Sequence, residues 1–171
     1  MMKEGGGIEK HYRLLVKGDW VNDRQHVKLP LVRYLLPSGE RRVRVDQVEG
    51  VPAHTIFTLL KRYGSVSYLD AELKTGRTHQ IRVHMKHIGH VLFNDERYGG
   101  HEILKGTHFA KYKQFVNNCF DICPRQALHA MTLGFVHPRT GEEMFFTSPL
   151  PEDMTNLIDK WRNYISNREE L

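Results

Sequence analysis

The stretch Leu73–Gly100, "LKTGRTHQIRVHMKHIGHVLFNDERYGG", decides the reading of this chain, because the apolar period changes inside it. Just before it, "VSYLDAELKTG" places Val66, Tyr68, Ala71 and Leu73 at strand-like positions. Beyond Gly76 the apolar residues are Ile81, Met85 and Ile88, four and three apart, which is one face of a helix. Thr78 fits an N-cap and Gly89 a C-terminal stop. The segment therefore predicts a strand, a tight turn at Gly76 and the first turn of a helix.

The same grammar extends outward. "HYRLLV", Tyr12 to Val16, reads as a strand. "VKLPLVRYLLPSGERRVRVDQVEG" is broken at Pro30 and at Pro37-Ser38-Gly39. A strand pair across the second break is expected, with Val43, Val45 and Val48 on its apolar side. "HTIFTLLKRYG" is β-branched and aromatic enough for a strand. "LHAMTLGFVHP" and "EEMFFTSPLP" predict two strands around the turn "HPRTGE". "PEDMTNLIDKWRNYISNREE" predicts a closing helix with Met154, Leu157, Ile158 and Trp161 inward. Its acidic start, Glu152 and Asp153, and its later Arg162 and Arg168 suit the helix dipole. Residues 1–9, with the "KEGGG" run, are expected to be a flexible N-terminus. Strands outnumber helices and turns join most of them. The fold class is therefore α+β, a mixed, largely antiparallel sheet with flanking helices.

Composition bounds the function. The 171 residues are about one domain's worth, with 40% hydrophobic and 26% charged residues. No run of about 18 apolar residues occurs, which excludes a membrane-spanning helix, and no signal-peptide core is seen. Cys119 and Cys123 form an isolated pair four apart, read as ordinary reduced thiols of a cytoplasmic protein. The formal charge of +5 raises the expectation of a nucleic-acid partner.

The polar residues of the opening stretch admit several chemistries. His79, His84, His87 and His90 include a His-x-x-His pair, yet no acidic or cysteine ligand accompanies them. Arg77, Arg82 and Lys86 would repel a cation, so a metal is not expected. Arg77 and Arg82 beside a helix start could instead grip a phosphate or carboxylate. They could equally be a solvated basic face, with the histidines satisfying local hydrogen bonds.

The order of these residues resembles the signature of the RluA-type pseudouridine synthases. "TGRTHQIRVHM", then Gly89-His90, then Asp95 ahead of Tyr98-Gly99, follows the family's pattern. "EKHYRLLVKG" is similar to its tyrosine-bearing strand, and "PRQALHAMTLGFVHPRTGEEMFFTSPLPEDM" to its C-terminal end. The resemblance runs from Lys10 to Met154. Val91 replaces a usual proline and Asn94 a common glycine.

The resemblance implies isomerisation of uridine to pseudouridine in ribosomal or transfer RNA, with a flipped-out base and no cofactor or metal. It implies that Tyr12 packs on the uracil and helps move the C5 proton; the alternative is a core tyrosine. It implies that Arg82 pairs with a catalytic aspartate, and that Arg77 and His79 line the site or the RNA groove. Leu128 walls the pocket or is simply core, while Gln80 and His84 serve the site or the structure. The family's aspartate lies upstream, in a stretch like His-Arg-Leu-Asp-x-x-Thr-Ser-Gly. Only eleven residues precede Tyr12 here, and no aspartate among the eight stands in that context. Asp95 is read as fixing a loop. The resemblance thus implies that residues 10–171 are a partial catalytic domain, lacking its N-terminal part and inactive alone. Arg82 would then lack its carboxylate, and the sheet would keep an uncovered edge or face. Two other readings are a non-catalytic RNA-binding protein and a zinc-dependent hydrolase built on the histidines.

Overall fold

The computed structural model describes residues 8–101 and 110–169. Eight strands and three helices occur within them. They are β1 (Glu9–Lys17), β2 (Arg24–Lys28), β3 (Leu31–Leu35), β4 (Arg41–Val45), β5 (His54–Arg62), β6 (Val66–Leu73), α1 (Gln80–His87), α2 (Ala110–Ile122), β7 (Leu128–Val136), β8 (Glu143–Thr147) and α3 (Glu152–Glu169). Six strands form one sheet in the order β2-β5-β6-β1-β7-β8, and β3 pairs with β4 in a separate ribbon. Every ladder between these strands is antiparallel. The α+β class with a largely antiparallel sheet is the observed one.

β1 sits between β6 and β7, so both its edges are paired, and helices pack on both its faces, so its Leu-Leu-Val run is buried throughout. Leu14 and Val16 face Ile81 and Met85 of α1, with Phe57, Leu69 and Trp20 around them. Leu15 faces the other way, into the cluster built by α2 and α3. There Trp161, Leu157 and Met154 of α3 meet Val116 and Cys119 of α2. The four α3 residues read as inward, Met154, Leu157, Ile158 and Trp161, are all buried. Burying each of these large apolar side chains contributes roughly 1.5–3 kcal/mol.

Two boundaries differ from expectation. Val48 is 88% exposed in a turn, because strand pairing of β4 ends at Val45 and the chain then bends round Asp46, whose carboxylate accepts the amides of Val48 and Glu49. The ordered strand also begins at Glu9, inside the segment read as flexible; residues 1–7 lie outside the described ones, as does the side chain of Arg168. β8 closes one edge of the sheet, with Phe145 and Phe146 about half exposed. Among the described residues no helix is long and apolar enough to cross a membrane.

Candidate active site

The turn between β6 and α1 is held by one side chain. The Gln80 carbonyl oxygen Oε1 accepts from the Thr75 hydroxyl at 2.7 Å and from the Arg77 amide at 3.1 Å. Its amide nitrogen Nε2 donates to the His54 carbonyl at 3.0 Å and to the Thr55 hydroxyl at 2.8 Å. Gln80 thereby ties the helix start to β5 and to the Gly76 turn. This arrangement displaces the expected Thr78 cap. The N-cap position falls on His79, in a left-handed conformation at φ 52°, with no side-chain cap bond. A non-glycine residue there carries strain of about 1–3 kcal/mol. His79 is held by its ring, whose Nδ1 lies 2.9 Å from the Tyr98 hydroxyl. The helix ends as read, at Gly89 with φ +88°: the amides of Gly89 and His90 return to the carbonyls of Lys86 and Met85, a Schellman closure.

This start of α1 opens on a cleft of about 230 Å³. Tyr12 comes from β1 and Leu128 from the first residue of β7; Arg77, His79 and Arg82 come from the turn and helix. All five residues named from the sequence therefore line one cavity. Leu73, Gln80, Ile81 and Gln126 complete it. Tyr12 reaches the cleft because β1 alternates along the β6 ladder, sending His11 to the opposite face. Beside β7 the ladder shifts register between His11 and Tyr12, a bulge that re-aims the strand next to the cleft.

Arg82 corrects the expectation of an unpaired guanidinium. Its Nε and Nη2 donate to the two oxygens of Asp95 at 2.8 and 2.7 Å. Asp95 is 1% exposed and Arg82 14%. The physical reason is the cost of a buried charge: a cation this far from water needs a counterion, and the loop after α1 supplies one. Asp95 also fixes its loop, as read, since its backbone carbonyl accepts the amides of Tyr98 and Gly100. The Tyr98 ring lies under the guanidinium, 5.0 Å from Arg82 Cζ.

The charges follow from this packing. The Asp95 hydrogen bonds raise the pKa of Arg82 further, against the opposing effect of burial. Burial lowers the pKa of His79, and the cations of Arg82 and Arg97 add to it, so the neutral ring is favoured. Arg77 is exposed at the mouth, its Nε donating to the Pro52 carbonyl at 2.9 Å.

The remaining histidines of the stretch go elsewhere. His84 is fully buried, between the Thr55 hydroxyl at Nδ1 and the Leu29 carbonyl at Nε2. His90 bonds the Lys17 carbonyl. They do not converge on a common point. A different trio, Glu9, His11 and Glu72, brings ligand atoms within 4.8 Å of one another. His11 is already engaged by Asp70 and Glu9, and Glu72 by Lys74, so the group is an ion-pair network, in which the second Glu9 oxygen, Oε2, is buried without a hydrogen-bond partner.

Comparison with known proteins shows the family of the chain. The model of the RNA pseudouridylate synthase family matches residues 1–87. The chain belongs to the RluA-type pseudouridine synthase family. Ribosomal large subunit pseudouridine synthase C of Escherichia coli strain K12 is 39% identical over 157 residues, covering 92% of this chain and 46% of that protein. An uncharacterized RNA pseudouridine synthase of Chlorobaculum parvum is 44% identical over 163 residues, covering 93% and 49%. The chain thus spans about half the length of these relatives. Two human structures share the fold. RNA pseudouridylate synthase domain containing 1 superposes with a TM-score of 0.61 at 22% identity, over 91% of this chain and 66% of that one. Domain containing 4 gives 0.64 at 16%, over 91% and 62%.

Two site features escaped the sequence reading. Asp95 was visible as a motif residue, but its partner was not. Gln126 stands two residues before Leu128, at the mouth of a strand, and nothing in its surroundings marks it.

Proposed function

We propose that this chain supplies the tyrosine- and arginine-bearing half of a site that converts uridine to pseudouridine in RNA. Large-subunit ribosomal RNA is the favoured substrate, by the names of its curated relatives. The convergence of Tyr12, Arg77, His79, Arg82 and Leu128 on one cleft carries the reading. In the reaction the C1′–N1 bond breaks, the base turns, C5 bonds to C1′ with loss of its proton, and the freed N1 takes up a proton, so the product is an isomer of the substrate. The base must leave the helix stack to enter a cleft of this kind. Leu128 and the Tyr12 ring offer it an apolar wall and a face to stack on, and the phenol oxygen can relay the C5 proton. Arg82 presents fixed positive charge to an aspartate and to the developing charge of the ring. Arg77 at the mouth meets backbone phosphate, and its contribution to binding falls with salt.

The aspartate of the family's Arg-Leu-Asp context is absent from these residues. Taken alone, the 171 residues bind RNA and do not turn it over. The test is pseudouridine mapping on ribosomal RNA with the purified chain, with and without a separately supplied upstream segment carrying that motif. Product should form only when the segment is present, and Tyr12→Phe should abolish it while leaving RNA affinity within about twofold. Product from the unaided chain at a rate typical of enzymes, about 1 per second or faster, would refute the incompleteness. No measurable RNA affinity would refute the function.

A further inference from the structure

We infer that Asp95, backed by the Tyr98 ring, is a positioning residue for Arg82: it sets the guanidinium toward the cleft whether or not a catalytic carboxylate is present. The inference rests on the pseudouridine-forming reading and adds to it a residue with no role in binding RNA directly.

The geometry carries it. A guanidinium has five N–H donors in a rigid plane. Asp95 takes one on Nε and one on Nη2, the side-on edge, and leaves the Nη1 end of the same plane to other acceptors. Arg82 also lines the cleft, so one cation bridges a buried anion behind it and the cavity in front. Rotation about the guanidinium axis is resisted by the ring of Tyr98, which lies 5.0 Å from Cζ. The same tyrosine donates to or accepts from His79 at 2.9 Å, so one short 3-10 turn, Glu96–Tyr98, steadies two of the cleft's residues. The turn itself is constrained. Gly100 donates to the Asp95 carbonyl at 2.7 Å, and a side chain at position 100 would collide with the Leu92 carbonyl oxygen. A cation held in this way costs no reorganisation when an acceptor enters the cleft.

A structural salt bridge would alter folding alone, whereas a positioning residue alters what the cleft distinguishes. The experiment uses the whole 171-residue chain and two short single-stranded RNAs, one with a central uridine and one with an abasic site there. Wild type should bind the uridine strand more tightly. Asp95→Asn should reduce that preference about tenfold, the effect of losing one well-placed charged contact. It should leave the salt dependence of binding unchanged, since that reports phosphate contacts. Asp95→Glu should restore part of the preference. Equal preference in wild type and Asp95→Asn overturns the inference and spares the function. No preference in wild type overturns the function and the inference with it. Should Asp95→Asn fail to fold, the Arg82 Nε–H resonance of wild type decides: it should be in slow exchange in the free chain and shift on adding uridine RNA but not abasic RNA. An unshifted resonance overturns the inference.

Discussion

Gln80→Leu should destabilise the chain by about 2–3 kcal/mol while leaving its fold intact. The substitution keeps the volume and removes four hydrogen bonds. Not all of the partners are orphaned. The His54 carbonyl still accepts from Lys74, the Thr55 hydroxyl still meets His84, and the Thr75 hydroxyl still accepts the His54 amide. Only the Arg77 amide loses its partner outright. That group sits at the partly open turn, so its penalty falls near the low end of about 1–3 kcal/mol. The net worth of the other three bonds, each about 0.5 kcal/mol when its partner is otherwise satisfied, adds the remainder. For a chain of this size each kcal/mol lowers Tm by about 2–4 °C, so the melt should fall by about 4–12 °C. Urea titration should show a lower midpoint at unchanged slope. Hydrogen exchange should quicken first at Arg77. A loss below about 0.5 kcal/mol, the range of ordinary surface changes, would refute the view that Gln80 is the clasp between β5, the Gly76 turn and α1.

Three further outcomes follow from the core and its titratable groups. Burial pushes the thiols of Cys119 and Cys123 up to about 12 and about 11, so neither should react with a thiol reagent at pH 8 until denaturant is added; rapid reaction in the native state would contradict the packing of α2. His84 and His11 should give opposite pH signatures. Burial lowers the folded pKa of His84, so its contribution is present above the unfolded value of about 6.5 and lost as pH falls through the folded one; the stability gap between wild type and His84→Asn should narrow on acidification, read by urea midpoints from pH 7.5 to 5.5. The hydrogen bond to Asp70 raises that of His11, so its contribution is full below about 6.5 and lost as pH rises through the folded value, and the gap for His11→Asn should narrow toward alkaline pH. Leu157→Ala, in the α2–α3 cluster, should cost about 2–5 kcal/mol without altering RNA affinity, since it lies outside the cleft.

How far the chain was legible depends on where its constraints come from. β6 and the α3 face are legible from apolar spacing, and β5 from its β-branched and aromatic composition. Arg77, His79 and Arg82 follow from the family resemblance of one stretch, Tyr12 and Leu128 from that of two distant motifs, and the cleft brings the five together. The N-cap of α1 was misread because a local rule named Thr78 while a tertiary clasp, Gln80, already met the turn's needs. α2 carries a helical signal in Val116, Cys119, Phe120 and Cys123, three and four residues apart, which a reading of the two cysteines as a thiol pair hides. The Asp95–Arg82 pair was illegible for a different reason. The partners stand thirteen positions apart across a helix end, and nothing local ties them.

That last pair bears on how Arg82 would meet the family's aspartate. Motif order alone leaves Arg82 a cation without its aspartate. A buried guanidinium without a counterion costs several kcal/mol, enough to rearrange the turn or draw in water. The fold avoids this by carrying its own anion at Asp95, which is more deeply buried than the cation it neutralises. The local charge is then close to zero before any catalytic carboxylate arrives, so such a carboxylate would add a negative charge to a balanced pair. Arg82 would have to serve both acceptors through different edges of one plane. The incoming aspartate is accordingly held less tightly than it would be by an undivided guanidinium, which favours a carboxylate that remains reactive over one locked in a salt bridge.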